Sequence, residues 1–157
     1  MLAAGASSRY GDAPPKQAVL LPRVLEALRC AETVGGIVVV AGAHPLETDA
    51  RVVVADEWAR GAGASLRAGL AALPDDAEAA VVVLADGPDL DPRAVDRVVR
   101  SWAGENVLAA TYGGVRLHPV LLARSVWDRV PDEGARALPA REIVCDDLRP
   151  PGDVDVS

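Results

Sequence analysis

The sequence predicts an α/β fold in which helices cover both faces of a mostly parallel sheet. Apolar β-branched runs alternate with helix-like stretches along the chain, and the links between them are short. The run Val81–Leu84 is apolar without a break, as expected of a strand that is covered on both faces. With 157 residues the chain is long enough to bury one core, so we expect a single domain over residues 1–157.

The predicted elements alternate in order along the chain. Strands are expected at Gly36–Ala41, Arg51–Ala55, Ala79–Ala85, Asn106–Thr111 and Glu142–Cys145. Helices are expected at Leu21–Thr33, Gly63–Leu73, Pro92–Trp102 and Ser125–Val130. The helix from Pro92 has the clearest beginning, because Asp91 is suited to the N-cap and proline to the first helical position.

Two segments depart from this alternation. Tyr112-Gly113-Gly114 predicts a turn, from which Val115–Leu117 returns as the second strand of an antiparallel hairpin. Met1–Ala4 is short for the central strand that should come first in such a fold. We therefore expect either a truncated strand or a few preceding residues.

The composition argues against several classes of protein. The net charge of −7 argues against a nucleic-acid-binding surface. No apolar run has the length of a membrane span and no charged-then-apolar leader is present, so we expect a cytoplasmic protein without a membrane partner. Cys30 and Cys145 lack metal-ligand spacing, and we expect both to be small core residues in a reducing compartment.

The loop Gly5–Lys16 contains the only lysine of a chain that has fifteen arginines. Glycine and serine let backbone amides approach an anion closely, and Lys16 adds a compact cation on a long stem. The loop has neither the P-loop pattern nor the Gly-x-Gly-x-x-Gly pattern. Arg9 and Lys16 therefore either bind a triphosphate or carry solvated positive charge.

Asp86 follows the strongest predicted strand, in Leu84-Ala85-Asp86-Gly87-Pro88. Ligands in open α/β sheets bind beyond the carboxyl ends of the strands. An aspartate at this point can hold Mg²⁺ against phosphate oxygens. It can equally be an ordinary turn residue before Gly-Pro.

Six short segments carry a family resemblance. In chain order they are Leu2-Ala3-Ala4-Gly5-x-Ser7-x-Arg9-x-Gly11 with Lys16, Trp58-x-x-Gly61-x-Gly63-x-Ser65, Leu84-Ala85-Asp86-x-Pro88, His118-Pro119-Val120, Asp132-x-Gly134-Ala135-Arg136 and Gly152-Asp153-Val154-Asp155. Together they resemble the signature segments of the MobA-like nucleotidyltransferases, which include the molybdenum cofactor cytidylyl- and guanylyltransferases. The resemblance covers nearly the whole chain and implies a three-layer, Rossmann-like nucleotidyltransferase fold.

The resemblance also implies a role for each segment. The implied nucleotide-binding residues are Leu2, Ala3, Ala4, Gly5, Ser7, Arg9, Lys16, Gly63 and Ser65. The implied catalytic residues are Arg9 and Lys16, which neutralise phosphates, and Asp86. The implied cofactor is Mg²⁺, bound by Asp86 with Asp155 or Asp153. The implied acceptor-binding residues are His118, Asp132 and Arg136.

From the residues alone, three of these assignments have simpler alternatives. His118 could instead close a hairpin before Pro119. Asp132 and Arg136 could form a surface ion pair of little energetic weight. The aspartates at positions 153 and 155 could belong to a frayed acidic tail.

The implied reaction moves an NMP from an NTP to a phosphorylated small-molecule acceptor, first of all a molybdopterin-type cofactor, and releases pyrophosphate. Leu2-Ala3-Ala4-Gly5, in place of Leu-Ala-Gly-Gly, resembles the cytidylyl branch of the family more than the guanylyl branch, which implies CTP rather than GTP as the donor. A second hypothesis is a non-catalytic NTP or cofactor carrier, or an insertion chaperone for a molybdoenzyme partner. Ala55 and Gly87 motivate it, because the family usually carries larger side chains at both positions. A third hypothesis keeps the chemistry and changes the acceptor to a sugar phosphate or phospholactate-like molecule.

Overall fold

A computed structural model of the chain describes residues 1–4 and 16–152, and of residues 16 and 17 only the backbone. The strands are β1 (Leu2–Ala3), β2 (Val38–Ala41), β3 (Arg51–Val54), β4 (Ala79–Val82), β5 (Val107–Tyr112), β6 (Val115–Ala123) and β7 (Arg141–Val144). The α-helices are α1 (Lys16–Cys30), α2 (Ala62–Ala71) and α3 (Pro92–Ser101), and the 3₁₀ helices are Trp58–Arg60, Arg124–Arg129 and Ala135–Ala137. The predicted alternation of strands and helices is confirmed.

The strands lie side by side in the order β3-β2-β1-β4-β6-β5-β7. The pairs β1–β2, β2–β3 and β5–β7 are parallel, whereas β6 lies between β4 and β5 and is antiparallel to both. The two halves meet where Leu2 pairs in parallel with Leu84, just beyond β4. There the Leu2 amide donates to Val83 O and the Ala85 amide donates to Leu2 O, both at 2.9 Å. The predicted class, mostly parallel with an antiparallel hairpin, is confirmed.

Alternating side chains of β5 show how the three layers pack. Leu108 faces α3 and shares a core cluster with Val98. Ala109 points to the opposite face and shares a cluster with Leu70 of α2. Each fully buried leucine or valine stabilises the fold by roughly 1.5–3 kcal/mol. In the described part of the chain, no helix combines the length and the apolar character that crossing a membrane requires.

The strand β6 is longer than the predicted hairpin strand, which ended at Leu117. Gly113 and Gly114 have φ angles of 58° and 81°, so both turn positions require the left-handed region. Pro119 lies inside β6, in the stretch where the register between β5 and β6 shifts. A proline has no amide hydrogen to donate between strands, so in a sequence it indicates the end of a strand. In this structure Pro119 instead lies within β6, where the pairing with β5 is irregular.

Two further expectations are corrected by the structure. The segment predicted as a helix over Ser125–Val130 is the 3₁₀ helix Arg124–Arg129, because one short turn packed after β6 takes the tighter form. Cys145 is buried as predicted, but Cys30 is exposed. Cys30 lies two residues after the buried Leu28, which on a helix points it away from the core.

The amino end of the sheet contains a mostly apolar cavity of about 380 Å³. Its walls include Ile37, directly before β2, and Ala79, the first residue of β4. Thr33 also lines it, and its amide and hydroxyl donate to the buried carboxylate of Asp96 in α3 at 2.9 and 2.6 Å. At this end of the sheet, the hydrogen bonds to Asp96 therefore hold Thr33 in place next to the apolar cavity.

Candidate active site at the carboxyl end of the sheet

The carboxyl ends of β1 and β4 lie next to each other at the centre of the sheet. The chain leaves β1 towards β2 on one side and leaves β4 towards the β5–β6–β7 half on the other, so this is the point where strand order reverses. Ala3 and Ala4 are buried there, and Asp86 is half-buried just beyond the bridge to Leu2. Asp86 therefore lies where the sequence predicted it, beyond the carboxyl ends of the central strands.

Several predicted site residues lie outside the described part of the chain. Gly5, Ser7 and Arg9 belong to residues 5–15, and Asp153 and Asp155 belong to residues 153–157. Lys16 is the first residue of α1, and its side chain is not described. The roles assigned to these residues stay predictions.

The end of β2 packs closely against the end of β1. A Cβ built at Gly42 would lie 2.7 Å from Ala4 O and 2.8 Å from the Cβ of Trp58. No side chain fits between these backbones, so glycine permits the approach. Trp58 thereby lies close to Ala4 at the end of β1.

The Asp86 loop is in contact with two remote segments. A Cβ built at Gly87 would lie 2.6 Å from Nε2 of His118 and 3.2 Å from Gly152 O. His118 is 9% exposed, and its carbonyl accepts a hydrogen bond of 3.1 Å from the Tyr112 hydroxyl. The small residue at position 87, where the family often has a larger one, therefore makes room for the imidazole.

The start of α2 packs against the segment that was predicted to contact the acceptor. The Gly63 amide donates to Asp132 O at 2.9 Å, and a Cβ at position 63 would lie 1.6 Å from Pro131 O. Ser65, two residues further along α2, is buried. The contact gives Gly63 a packing role, and its amide is already engaged by the protein.

Two arginines hold the carboxylate of Asp132. Arg67 lies 2.6 Å and Arg60 3.3 Å from it, and the hydrogen bond from Arg67 is the main reason that the pKa of Asp132 lies below its ordinary value. Within the described residues no ion pair joins Asp132 to Arg136, which is exposed on the 3₁₀ helix Ala135–Ala137. Asp132 thus forms ion pairs with Arg60 and Arg67 and not with Arg136, the partner considered from the sequence.

The donor set fits a divalent cation only in part. No group of three or more His, Cys, Asp or Glu side chains among residues 1–4 and 16–152 is arranged to hold a metal ion. Asp86 supplies a carboxylate of the type that Mg²⁺ binds, at the carboxyl end of β4. Gly152, which directly precedes Asp153, contacts the same loop, so a complete set would combine Asp86 with residues of the C-terminal segment.

The family model of the MobA-like NTP transferase domain matches residues 1–144. The chain belongs to this family. Rv0371c from Mycobacterium tuberculosis H37Rv is 28% identical, with a TM-score of 0.78 over 98% of this chain and 90% of that one. The structure of Rv0371c in complex with manganese, also from Mycobacterium tuberculosis H37Rv, aligns with 25% identity and a TM-score of 0.76 over 99% of this chain and 90% of that one.

A more distant solved structure shares the fold alone. CMP:2-keto-3-deoxy-manno-octonic acid synthetase complexed with CTP is 11% identical, with a TM-score of 0.66 over 92% of this chain and 88% of that one. No curated protein matches the chain. The family predicted by resemblance is confirmed, and the chain is a nucleotidyltransferase of the MobA-like kind.

Sequence reasoning missed several residues that build the site. Gly42, Arg67 and Tyr112 fix its walls, and Asp89 contacts the C-terminal segment. Gly42, Arg67 and Asp89 have no local sequence signal, because each contacts a partner that is remote in the chain, whereas the partner of Tyr112 is the backbone of His118, six residues further on. Only the two glycines in the Trp58-x-x-Gly61-x-Gly63 segment hinted at a close approach.

Proposed function

We propose that this protein transfers an NMP from an NTP to a phosphorylated acceptor in a reaction that depends on Mg²⁺. CTP is the favoured donor, a molybdopterin-type cofactor is the favoured acceptor, and pyrophosphate is released. The observation that carries the proposal is the adjacency of β1 and Asp86 at the reversal of strand order. The manganese complex of Rv0371c and the CTP complex of the more distant synthetase support it.

The protein's part in this chemistry is mostly positioning and charge stabilisation. Arg9 and Lys16 would neutralise the β- and γ-phosphates beside the end of β1. Asp86, with Asp153 or Asp155, would hold Mg²⁺, which when bound supplies positive charge to the phosphates. An oxygen of the acceptor phosphate forms a bond to the α-phosphorus while the bond to the bridging oxygen breaks. Pyrophosphate leaves with that oxygen.

The preference for CTP has a steric basis in this proposal. The methyl group of Ala4 lies at the end of β1, in the same narrow place as Gly42 and Trp58. A glycine there would leave more space, so alanine favours the smaller pyrimidine. The buried imidazole of His118 and the segment Asp132–Arg136 would face the acceptor.

The reaction is tested by mixing the folded protein with each NTP, Mg²⁺ and a molybdopterin-type acceptor and measuring pyrophosphate. We expect release with CTP and the acceptor together and little with either alone. A folded protein that releases none with any NTP and acceptor would contradict the proposal. NTP binding by calorimetry without pyrophosphate would instead support the carrier or insertion chaperone.

The metal role is tested by Asp86→Ala. We expect turnover to fall about 100-fold or more, because one preorganised charge at the reacting phosphates is lost. Asp75→Ala removes the same charge before the amino end of β4 and serves as the matched control. Unchanged turnover and unchanged metal binding in Asp86→Ala, with both variants equally stable, would refute this role.

A further inference from the structure

The apolar cavity at the amino end of the sheet lies between β2 and β4, which β1 holds apart. Leu2 of β1 pairs in parallel with Val40 of β2 on one side and with Leu84, just beyond β4, on the other. Neighbouring strands lie about 4.8 Å apart, so β2 and β4 are separated by about twice that distance. Among residues 1–4 and 16–152, no strand fills this separation alongside the first residues of β4. The space there has the width of one strand, and we name it the strand slot.

The walls of the strand slot come from all three layers of the fold. Its two sides in the sheet are residues 37–38 and 79–82. Leu70 of α2 lines one face, and Val99 of α3 lines the other. Residues 79–81 are only half-buried, although β4 is the middle strand of the seven. An occupant therefore meets strand backbones on both sides and apolar side chains on both faces.

The backbones of β4 and β2 present hydrogen-bonding groups to the slot. The Leu2 amide donates to Val83 O. Because the backbone groups of a strand point alternately to its two neighbours, the amide and carbonyl of Val81 point into the slot. On β2 the Val38 carbonyl accepts from the Met1 nitrogen, so the Val38 amide points to the same side. A peptide strand can bond to both backbones, whereas a purely apolar molecule would leave these groups without a partner.

The register of β1 sets the length of peptide that the slot holds. When the pairing of Leu2 with Val40 and Leu84 is continued towards the amino end, four further positions fall opposite residues 35–38 and 79–82. Four extended residues span about 13 Å. Because both faces of the slot are apolar, each of these positions favours an apolar side chain.

The amino group of Met1 lies at the inner end of the slot. Its nitrogen donates to Val38 O at 2.8 Å. Burial lowers the pKa of this amino group to about 5, and no negative charge of the described chain opposes that effect. An adjacent carboxylate would favour the charged form. A peptide that ends here in a free carboxylate therefore supplies the negative charge that this position lacks.

We propose that the strand slot binds the free carboxyl end of an extended apolar segment from a partner protein, which adds a strand between β2 and β4 and parallel to both. This occupant matches the apolar faces, the two flanking backbones and the Met1 amino group together. The inference does not depend on the proposed reaction, because the slot lies at the opposite end of the sheet from Asp86.

Calorimetric titration of the intact protein with the peptide acetyl-Lys-Gly-Val-Ile-Ala-Val tests the proposal. Its last four residues match the slot, and its lysine stays in water. We expect one peptide to bind per chain, with a negative heat-capacity change from the apolar surface that is buried. The same peptide with a carboxyl-terminal amide should bind about tenfold more weakly, because a hydrogen bond to a charged group is lost.

A spin label on the peptide's lysine locates the bound peptide. It should broaden the amide signals of Gly35 and Ala79, which lie opposite the outermost position of the slot, in the NMR spectrum of the protein. The amide signal of Gly113, in the hairpin turn at the other end of the sheet, should stay sharp. This pattern also fixes the direction of the added strand, since an antiparallel peptide would place the label near Met1.

Leu73→Glu and Val54→Glu are a matched pair of variants. Leu73 lines the slot, so a glutamate there should weaken peptide binding by about tenfold or more. Val54 is exposed on the edge strand β3, and the same substitution there should leave the affinity within about twofold of the wild type. Melting temperatures without peptide check that both variants fold. The comparison of acid and amide peptides on the wild type needs no variant.

The outcomes decide the proposal in either direction. Tighter binding of the free acid, together with broadening at Gly35 and Ala79, supports it. Equal affinity of acid and amide, broadening at another surface or no binding overturns it. Intact-mass measurement of the natural protein provides a further check. If residues that directly precede Met1 in that protein occupy the slot, the slot is part of the chain's own sheet and the proposal is overturned.

Discussion

The two ends of the sheet are packed by different means. At the carboxyl end, Cβ atoms built at Gly42, Gly63 and Gly87 would all come within 3.0 Å of neighbouring atoms. Near the amino end, Gly35 and Gly36 have no other atom within 4 Å of such a Cβ, and the apolar cavity lies beside them. At the candidate site the backbone is thus in close contact with other backbone at Gly42 and Gly63 and with the His118 imidazole at Gly87, whereas the opposite end relies on side chains such as Asp96.

The largest effect that tests this comparison is expected from Gly63→Ala. The new methyl group would lie against Pro131 O, and the helix start and the Pro131–Asp132 segment would have to separate. We expect a loss of stability of more than about 4 kcal/mol, beyond the usual range for overpacking. Urea unfolding followed by circular dichroism measures it.

Gly36→Ala is the matched control for this substitution. It adds the same methyl group where nothing lies within 4 Å, so the free energy of unfolding should change by less than about 0.5 kcal/mol. Equal losses in the two variants would show that the carboxyl end is not more tightly packed than the amino end.

An intermediate effect is expected from Asp96→Ala. This carboxylate accepts hydrogen bonds from the amides of Glu32 and Thr33 and from the Thr33 hydroxyl. Their loss should lower the free energy of unfolding by roughly 2–3 kcal/mol. Asp132→Ala removes a more exposed carboxylate at the carboxyl end and should stay within about 1 kcal/mol. The reverse order would contradict the assignment of Asp96 as the anchor.

The same anchor predicts a pH dependence. Burial raises the pKa of Asp96, but hydrogen bonds from Thr33 and from the Glu32 amide outweigh it, so the pKa lies below 3.8. A carboxyl with a depressed folded pKa contributes stability above its unfolded pKa and loses it as the pH falls through the folded value. The difference in stability between wild type and Asp96→Ala should therefore narrow below about pH 4. Denaturation at pH 6 and pH 3 measures it.

The smallest effect concerns the outer edge of the carboxyl end, where side chains make the contact. A hydrogen bond from Arg97 lowers the pKa of Asp147 from 3.8 to about 2. Its stabilising effect should thus be complete above pH 3.8 and disappear towards pH 2. Carboxyl chemical shifts should show this titration, and Arg97→Ala should return it towards 3.8. Arg51→Ala, on the opposite edge strand, should leave it unchanged.

The sequence predicted the architecture better than the walls of the site. Continuous apolar runs identify β4 and β5 because burial on both faces leaves a local pattern. No such pattern indicates the full length of β6, because Pro119 interrupts its apolar run. The irregular register that accommodates this proline depends on the pairing with β5. The contacts at Gly63 and Asp89 depend on partners about 60 residues away or more, and no local pattern encodes such pairs.

The direction of β6 has a consequence for how acceptor choice can change. Because β6 runs opposite to its neighbours, its first residues lie at the same edge as the last residues of β4, and the hairpin of Gly113 and Gly114 extends beyond that edge. A longer hairpin there can rebuild one wall without moving any strand of the β1–β2–β3 half. Under the proposed function, in which His118 of β6 faces the acceptor, insertions at this two-residue turn would change acceptor specificity and leave the residues proposed to bind the NTP unaltered.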